Sequence, residues 1–395
     1  MRVRGLALVL GAVVAVAGCG SDSGSTSGAS GFDELYEQGL TKYVGRFDPS
    51  NEPEAVEGVK TFEFAVPSDP AAEPRGPLCL RGTGYTIDTR EGSSDELVIF
   101  LQGGGACWAD FCSAFEETNS LPPAGILNPN LAGNPVADWD VVYLPYCDGS
   151  LFAGDVDREL PNSVVEGGDP GTSMGYQRGL QNLTAALDIA VADFPNPSRI
   201  LLTGVSGGAF GTITALPLVR YYYPDTEILV FNDSGVGVAK EGDPVFINEA
   251  LLGGWNASSL IPASCPECTS NGHITGFVEW QLAADDNFTM SALSFSADTV
   301  ISLFFLMLNP ADFTASLLAE TARTTDAFPD RYKRFIPEGG AHTTLLRETA
   351  EGGSDPGVEI GSLETEIAGV TVLDWFTAMI DGTATWDDLV DEALE

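Results

Sequence analysis

Lysine and arginine are scarce in this chain of 395 residues, because only 18 of them stand against 57 aspartates and glutamates. The formal net charge of −39 repels phosphate backbones, so nucleic acid is excluded as a partner. The acidic residues are spread along the chain and do not form a tail. This distribution is more typical of a surface that keeps a protein soluble, or suits a salty habitat, than of an acidic recognition patch.

Histidine is scarcer still, with only His273 and His342. No pair of histidines accompanies the cysteines, so we expect no zinc site or other metal site. The chain also lacks the Gly-Lys-Ser/Thr triplet that a phosphate-binding loop requires. These absences leave few side chains for acid–base chemistry near neutral pH, and they make the two histidines informative.

No apolar run is long enough to span a bilayer as a stable helix. The longest one at the start, LALVLGAVVAVAG, follows Arg2 and Arg4 and ends just before Cys19. This order predicts an export signal at 1–18. Small residues before a cysteine resemble a bacterial lipobox, so we expect Cys19 to carry lipid and 19–31 to be a flexible Gly/Ser tether. The protein would then be exported and anchored to the bacterial cell envelope, touching the membrane only through the lipid. An ordinary signal peptide is the alternative.

Six further cysteines form an even set, which in an exported chain predicts three disulfides. Fifteen connectivities are possible. Close spacing favours the pairs Cys107–Cys112 and Cys265–Cys268, and this choice leaves Cys79–Cys147. The CPEC segment at Cys265 has the spacing of a redox pair, but no βαβ pattern surrounds it, so redox activity is not expected.

Short apolar runs alternate with helical patterns along most of the chain. LVIFL, DVVYL, RILLTGV and EILVF read as buried strands, and the stretch after 178 reads as an amphipathic helix. This alternation predicts an α/β fold with a mostly parallel sheet covered by helices on both faces. We expect a single domain over 32–395, with a mostly helical insertion at about 245–330.

One serine stands among glycines where a strand is expected to become a helix. Gly204, Ser206 and Gly208 have the G-x-S-x-G spacing of a nucleophile elbow. A tight turn exposes the hydroxyl, and the amino end of the helix offers an N–H group to a developing oxyanion. Ser206 is therefore the candidate nucleophile.

A serine nucleophile needs a base, and in the chain order of this hydrolase class the histidine comes last. His342 follows a late strand in the glycine-rich loop PEGGAHTTLL, so it is the candidate base. His273 follows a CPEC segment and is expected to be structural. The acid should lie between serine and histidine, and Asp285 and Asp286 are offered by the polar break LAADDNF, with Asp298 and Asp233 as further choices.

Glycines 103–105 follow the strand LVIFL directly. Without side chains they leave backbone N–H groups accessible, as the second part of an oxyanion hole requires. A plain tight turn is the other interpretation of this segment.

Four blocks now resemble the pectin acetylesterase family, which includes the animal Notum carboxylesterases. LQGGGACW resembles its oxyanion segment, LPYCDGSLFAGD a Pro-Tyr-Cys segment, GVSGGAFGT with FNDSG its elbow and next strand end, and GGAHTTL its histidine block. The resemblance spans about residues 78–346. Gln102, Ala106 and Gly207 depart from the usual Glu, Trp and Ala, which puts the choice of substrate in question.

The resemblance implies an α/β-hydrolase fold and a Ser-Asp-His triad that works without a cofactor. Ser206 would be the nucleophile and His342 the base, and the acid would be Asp286, if DDNFT matches the family's acid block. Asp285, one position away, remains possible. The oxyanion donors would be the N–H groups of Gly104, Gly105 and Gly207.

The sequence thus predicts an exported serine carboxylesterase that hydrolyses O-acyl esters, with acetylated polysaccharide as the favoured substrate class. A lipase or deacylase for longer acyl chains is the alternative within enzymes, supported by the apolar run VISLFFLMLN. A binding lipoprotein that kept the fold without catalysis is the alternative from another class.

Overall fold

A computed structural model describes residues 31–70, 75–162, 171–349 and 358–394. The expected signal at 1–18, Cys19 and all but the last residue of the tether lie outside the described residues, so these expectations stay predictions. No helix among the described residues combines the length and apolarity that a membrane span requires.

The described residues build one nine-stranded sheet and three two-stranded ones. The central sheet has the spatial order β1 (Val59–Glu63), β2 (Thr86–Arg90), β6 (Asp140–Leu144), β3 (Leu97–Leu101), β9 (Arg199–Val205), β10 (Glu227–Asp233), β11 (Phe288–Leu293), β12 (Tyr332–Ile336) and β15 (Leu389–Val390). The small sheets are the pairs β4 (Gly105–Trp108) with β5 (Phe111–Ala114), β7 (Val156–Pro161) with β8 (Thr172–Gln177), and β13 (Glu366–Ile367) with β14 (Val370–Thr371).

Strands β6, β3, β9, β10, β11, β12 and β15 run parallel, and only the β1–β2 and β2–β6 pairs are antiparallel. The α-helices are α1 (Asp33–Glu37), α2 (Gly179–Asp193), α3 (Gly207–Tyr222), α4 (Thr275–Ala284), α5 (Pro310–Ala327) and α6 (Val372–Ile380). Two π-helical segments, Phe246–Gly253 and Val300–Phe305, and 3₁₀ turns at Gly125–Leu127, Ser258–Leu260, Pro266–Cys268 and Glu392–Leu394 complete the fold. This is the mostly parallel α/β architecture that the sequence predicts.

An apolar core covers each face of the central sheet, and successive strand residues point into opposite cores. In β3, Ile99 belongs to one apolar core and Phe100 to another. The first core also contains residues of the helices α2 to α5: Leu183, Phe210, Phe277 and Leu317. The second contains α6, whose Trp375 and Phe376 rings lie edge-on to Phe231 of β10 at 5.6 and 5.1 Å between centroids. The continuous apolar runs in the sequence therefore correctly predict strands that are buried on both faces of the sheet.

The stretch 245–330 is helical only in part, which corrects the expected insertion. Strand β11 lies inside it and occupies the central sheet between β10 and β12. Its residue Ser291 is fully buried and accepts a hydrogen bond of 2.8 Å from Trp386 Nε1. A satisfied serine in a buried strand interrupts the apolar pattern, and for this reason the strand was not predicted.

Three disulfides join the expected cysteines, with Cα–Cα distances of 4.9 Å for Cys79–Cys147, 4.0 Å for Cys107–Cys112 and 5.4 Å for Cys265–Cys268. Cys107 and Cys112 lie directly opposite each other in the β4–β5 hairpin. The bond therefore fixes the hairpin that begins at Gly105.

Candidate active site

Ser206 lies at the junction of β9 and α3 in a conformation that few residues adopt. Its φ of 55° and ψ of −121° place it in a strained region, and such residues cluster at functional sites. Its N–H donates to the Asp233 carbonyl at 2.8 Å, and its own carbonyl accepts from Phe210 N–H at 3.1 Å to start the helix. The side chain stays partly exposed at this turn.

The glycines around Ser206 are required by close packing. A Cβ atom on Gly208 would lie 2.0 Å from the Leu101 carbonyl oxygen, and one on Gly204 would lie 2.6 Å from the Gly208 carbonyl oxygen. Helix α3 can therefore approach the ends of β3 and β9 only with glycine at both positions. The elbow that the sequence predicts is present.

The expected oxyanion glycines converge beside the serine. A Cβ on Gly103 would lie 2.9 Å from Ser206 Cβ, and one on Gly207 would lie 3.7 Å from Gly104 N. Gly105 has a φ of 82°, and a Cβ there would meet the Ser113 carbonyl oxygen at 1.8 Å. The structure thus brings Gly104, Gly105 and Gly207 together with the candidate nucleophile, at the positive end of α3.

His342 lies in the loop after β12 and is buried. Its Nδ1 lies 2.8 Å from Asp298 Oδ2, and the Asp298 side chain has no exposed surface. The other carboxylate oxygen, Oδ1, accepts from Val300 N–H and Ile301 N–H, both at 3.0 Å. The start of the π-helical segment thus fixes the carboxylate, and the carboxylate fixes the imidazole with Nε2 left for proton transfer.

Asp286 does not reach His342, which corrects the acid assignment. It is exposed and precedes β11, whereas Asp298 follows that strand. The six residues of β11 span roughly 20 Å, so the two aspartates lie at opposite ends of the sheet. Asp285 pairs with Arg220, Oδ2 to Nε at 2.7 Å, at the same remote end.

Asp298 was only a further choice in the sequence because nothing local singles it out among 57 acidic residues. One signal was available, namely that functional residues of parallel sheets lie at the carboxyl ends of strands. That rule favours an acid after β11 over one before it, but it needs β11 to be recognised as a strand first.

Asp233, another of the further choices, serves the histidine loop in a different way. Its Oδ2 accepts from the N–H groups of Thr344 at 2.6 Å and Leu345 at 2.8 Å, while its backbone carbonyl holds Ser206. Thr343 N–H donates to Ser234 Oγ at 3.0 Å. The end of β10 therefore forms hydrogen bonds with both the turn of Ser206 and the loop of His342.

Burial raises the pKa of Asp233 to about 6, although the N–H donors and His342 oppose this shift. A carboxyl whose pKa is higher in the folded than in the unfolded protein stabilises the fold most when it is protonated. That contribution is complete below the unfolded pKa of about 3.9 and is lost as pH rises through about 6.

We therefore predict that the stability of wild type relative to Asp233→Asn falls with rising pH. The difference in free energy of unfolding should decrease by about 2 kcal/mol between pH 4 and pH 7, since each pKa unit corresponds to about 1.4 kcal/mol and part of the change already occurs below pH 4. Urea unfolding of both proteins at several pH values measures it. Asp148, whose pKa burial also raises to about 6, titrates in both proteins and cancels in the difference. A difference that does not change with pH would contradict the prediction.

His273 lies away from the serine, as expected of a structural histidine. It is buried, and its Nδ1 accepts from Ala239 N–H at 2.9 Å. Burial lowers its pKa. It is therefore held neutral in the fold.

A small cavity opens beside Ser206. Its volume is about 70 Å³, well below the roughly 300–1,000 Å³ of pockets for drug-sized ligands. Its lining is almost entirely apolar and includes Ala106, Phe111, Leu151, Phe210, Ile301, Phe304 and Phe305. A space of this size and polarity suits a short acyl group.

A parallel sheet that places a serine elbow, a bonded His–Asp pair and glycine N–H groups at one edge defines an α/β-hydrolase. Sequence comparison narrows this class. The sequence model of the family described as Pectinacetylesterase matches residues 69–243, so this part of the chain is similar to the pectin acetylesterase family. The matched part contains Ser206 and the oxyanion glycines, and it ends before Asp298 and His342.

Three relatives from Arabidopsis thaliana show the extent of the similarity. Pectin acetylesterase 4 is 28% identical over 180 residues, which are 42% of each chain. Pectin acetylesterase 11 is 26% identical over 182 residues, 42% of this chain and 44% of its own. Pectin acetylesterase 5 is 28% identical over 182 residues, 42% of this chain and 40% of its own. The chain thus spans less than half the length of the curated relatives it matches.

Proposed function

We propose that this protein is an exported serine carboxylesterase that hydrolyses O-acetyl esters. The observation that carries the proposal is the contact of 2.8 Å between His342 Nδ1 and buried Asp298, in a loop tied through Asp233 to the turn of Ser206. The match of residues 69–243 to the Pectinacetylesterase model supports the same chemistry. Export and a lipid on Cys19 remain parts of the proposal that rest on the sequence.

The reaction has two halves. Ser206 Oγ attacks the ester carbonyl and gives its proton to His342 Nε2, while Asp298 stabilises the imidazolium that forms. N–H groups of Gly104, Gly105 and Gly207 stabilise the oxyanion, and the alcohol leaves with the proton from His342. Water then attacks the acyl-enzyme, giving its proton to His342, and the carboxylic acid is released as Ser206 recovers its hydrogen.

The cavity beside Ser206 sets the expected acyl length. Its small volume accepts an acetyl group and forces longer chains against Phe304, whose side chain forms an outer wall and is 55% exposed. One methylene group in an apolar pocket changes discrimination by about 1–3 kcal/mol. Acetate esters should therefore be preferred.

We predict that wild type hydrolyses p-nitrophenyl acetate with a higher kcat/KM than the octanoate. Phe304→Ala should raise the octanoate-to-acetate ratio by about tenfold, because it opens the outer wall without removing a buried side chain. Leu303→Ala is the matched control, since Leu303 is also exposed but does not line the cavity. An unchanged ratio in Phe304→Ala would refute this role of the wall.

A second candidate, a lipase or deacylase for long acyl chains, is favoured by one feature. Leu303, Phe304 and Met307 are large apolar residues exposed in or just after the π-helical segment, and Phe304 also lines the cavity. A wild-type preference for octanoate over acetate in the same panel would select this function in place of the first.

A further inference from the structure

We propose that the alcohol part of the natural ester is uncharged, an O-acetylated neutral glycan, and is not a polyuronate such as de-esterified pectin. This inference rests on the proposed esterase function and names its substrate class. The relatives are named for pectin, whereas the charges around this site favour a neutral polymer.

The segments that frame the site contain no lysine and no arginine. They are the glycine loop and hairpin, the loop after β6, the elbow with most of α3, the end of β10, the π-helical segment, and the histidine loop: 102–117, 146–154, 204–219, 233–239, 294–309 and 337–346. A site that binds uronate carboxylates needs cations or several donors positioned to meet them. These segments contribute no cation for that purpose.

The cations that come next along the chain are already engaged. Lys240, just after the end of β10, lies with Nζ 4.4 Å from the centroid of the Phe246 ring. Arg347, beyond the histidine loop, donates to the Ile360 carbonyl at 3.0 Å. Elsewhere in the described residues most lysines and arginines pair with carboxylates, as Arg178 does with Asp157 at 2.6 Å.

The same segments do carry carboxylates at the surface. Asp110 is exposed in the turn of the β4–β5 hairpin, whose next residue, Phe111, lines the cavity with Ser206. Glu338 is exposed beside Gly339, whose carbonyl accepts from Ala297 N–H next to Asp298. A chain of net charge −39 adds its overall field to these local charges.

A polyanionic substrate would therefore approach segments that carry carboxylates and contain no lysine or arginine. Electrostatic steering changes association rates by about 10 to 10³, and repulsion acts in the opposite sense to attraction. Salt screens this field, with a Debye length of about 10 Å at 0.1 M ionic strength. A neutral acetylated polymer is not repelled by this field, so its rate of association should not increase with salt.

The test compares acetylated polygalacturonate with the same polymer after methyl esterification, which removes the charge and keeps the sugar backbone and the acetyl groups. Acetylated xylan serves as a second neutral substrate, and acetate release is measured from 10 mM to 500 mM NaCl. We expect kcat/KM at low salt to be at least about tenfold higher for both neutral polymers, and only the polyuronate to gain strongly from salt. Equal rates on the charged and esterified polymers at low salt would overturn the proposal.

Variants separate local charge from overall charge. Asp110→Asn/Glu338→Gln should raise the rate on the polyuronate severalfold at 0.1 M NaCl and leave the rate with p-nitrophenyl acetate unchanged. Glu52→Gln/Glu54→Gln removes the same charge from an exposed segment before β1, four strands from β9 and thus roughly 19 Å away, beyond a Debye length at 0.1 M. It should have little effect. An equal gain from both variants would refute the local argument.

The outcome also distinguishes this inference from the proposed function. If wild type hydrolyses p-nitrophenyl acetate through Ser206 and prefers the charged polymer, only the substrate inference fails. If it hydrolyses no ester at all, the esterase proposal itself fails.

Discussion

Replacement of Ser206 by alanine is expected to lower kcat for p-nitrophenyl acetate by about 10⁴ to 10⁶. The acyl-enzyme cannot form without Oγ, and the remaining rate comes from the oxyanion donors and binding alone. The strained backbone at Ser206, held by Asp233 and by the start of α3, has no evident structural purpose apart from presenting this oxygen.

The control for this variant is Ser198→Ala. Ser198 is exposed and directly precedes β9, so it lies at the opposite end of the same strand. This variant should keep wild-type kcat. A Ser206→Ala protein that folds and retains more than about a tenth of the wild-type rate would contradict the assignment of the nucleophile.

Replacement of Asp298 by asparagine is expected to lower kcat by about 10⁴. The amide removes the charge that stabilises the imidazolium and favours the wrong tautomer of His342. Its carbonyl oxygen can still accept from Val300 and Ile301 N–H, so the π-helical segment should stay folded and circular dichroism should be unchanged.

Asp286→Asn is the matched control, since it makes the same chemical change at the other end of β11. Asp286 is exposed and lies outside the site, so activity should stay within about twofold of wild type. Loss of activity in Asp286→Asn, with normal activity in Asp298→Asn, would restore the assignment that the sequence predicts.

The sequence predicts the elements whose signals are local. An apolar run such as LVIFL is a buried strand wherever it occurs, and the glycine spacing around Ser206 reflects contacts with the adjacent strand end. His342 could be predicted as the base because the chain contains only two histidines. Disulfide pairing followed from short spacings and from the pair that was left over.

The acid of the triad could not be predicted from local sequence signals. Asp298 and His342 are 44 residues apart, and their contact depends on how β11 and β12 end at one edge of the sheet. The buried Ser291 interrupts the apolar pattern of β11, so the strand was not predicted and the rule that places sites at strand ends could not single out Asp298. The bonds from Asp233 to the histidine loop span more than 110 residues and leave no local sequence signal.

Covalent labelling with a fluorophosphonate, followed by tryptic mass spectrometry, tests directly whether Ser206 is the nucleophile. Cleavage after Arg199 and Arg220 gives the peptide 200–220, which contains Ser206 and no other serine. We expect one phosphonyl adduct on Ser206 in wild type and labelling slowed by orders of magnitude in His342→Ala and Asp298→Asn. The absence of an adduct on Ser206 in folded wild-type protein would contradict its assignment as the nucleophile. Equal labelling rates in all three proteins would contradict the roles of His342 and Asp298.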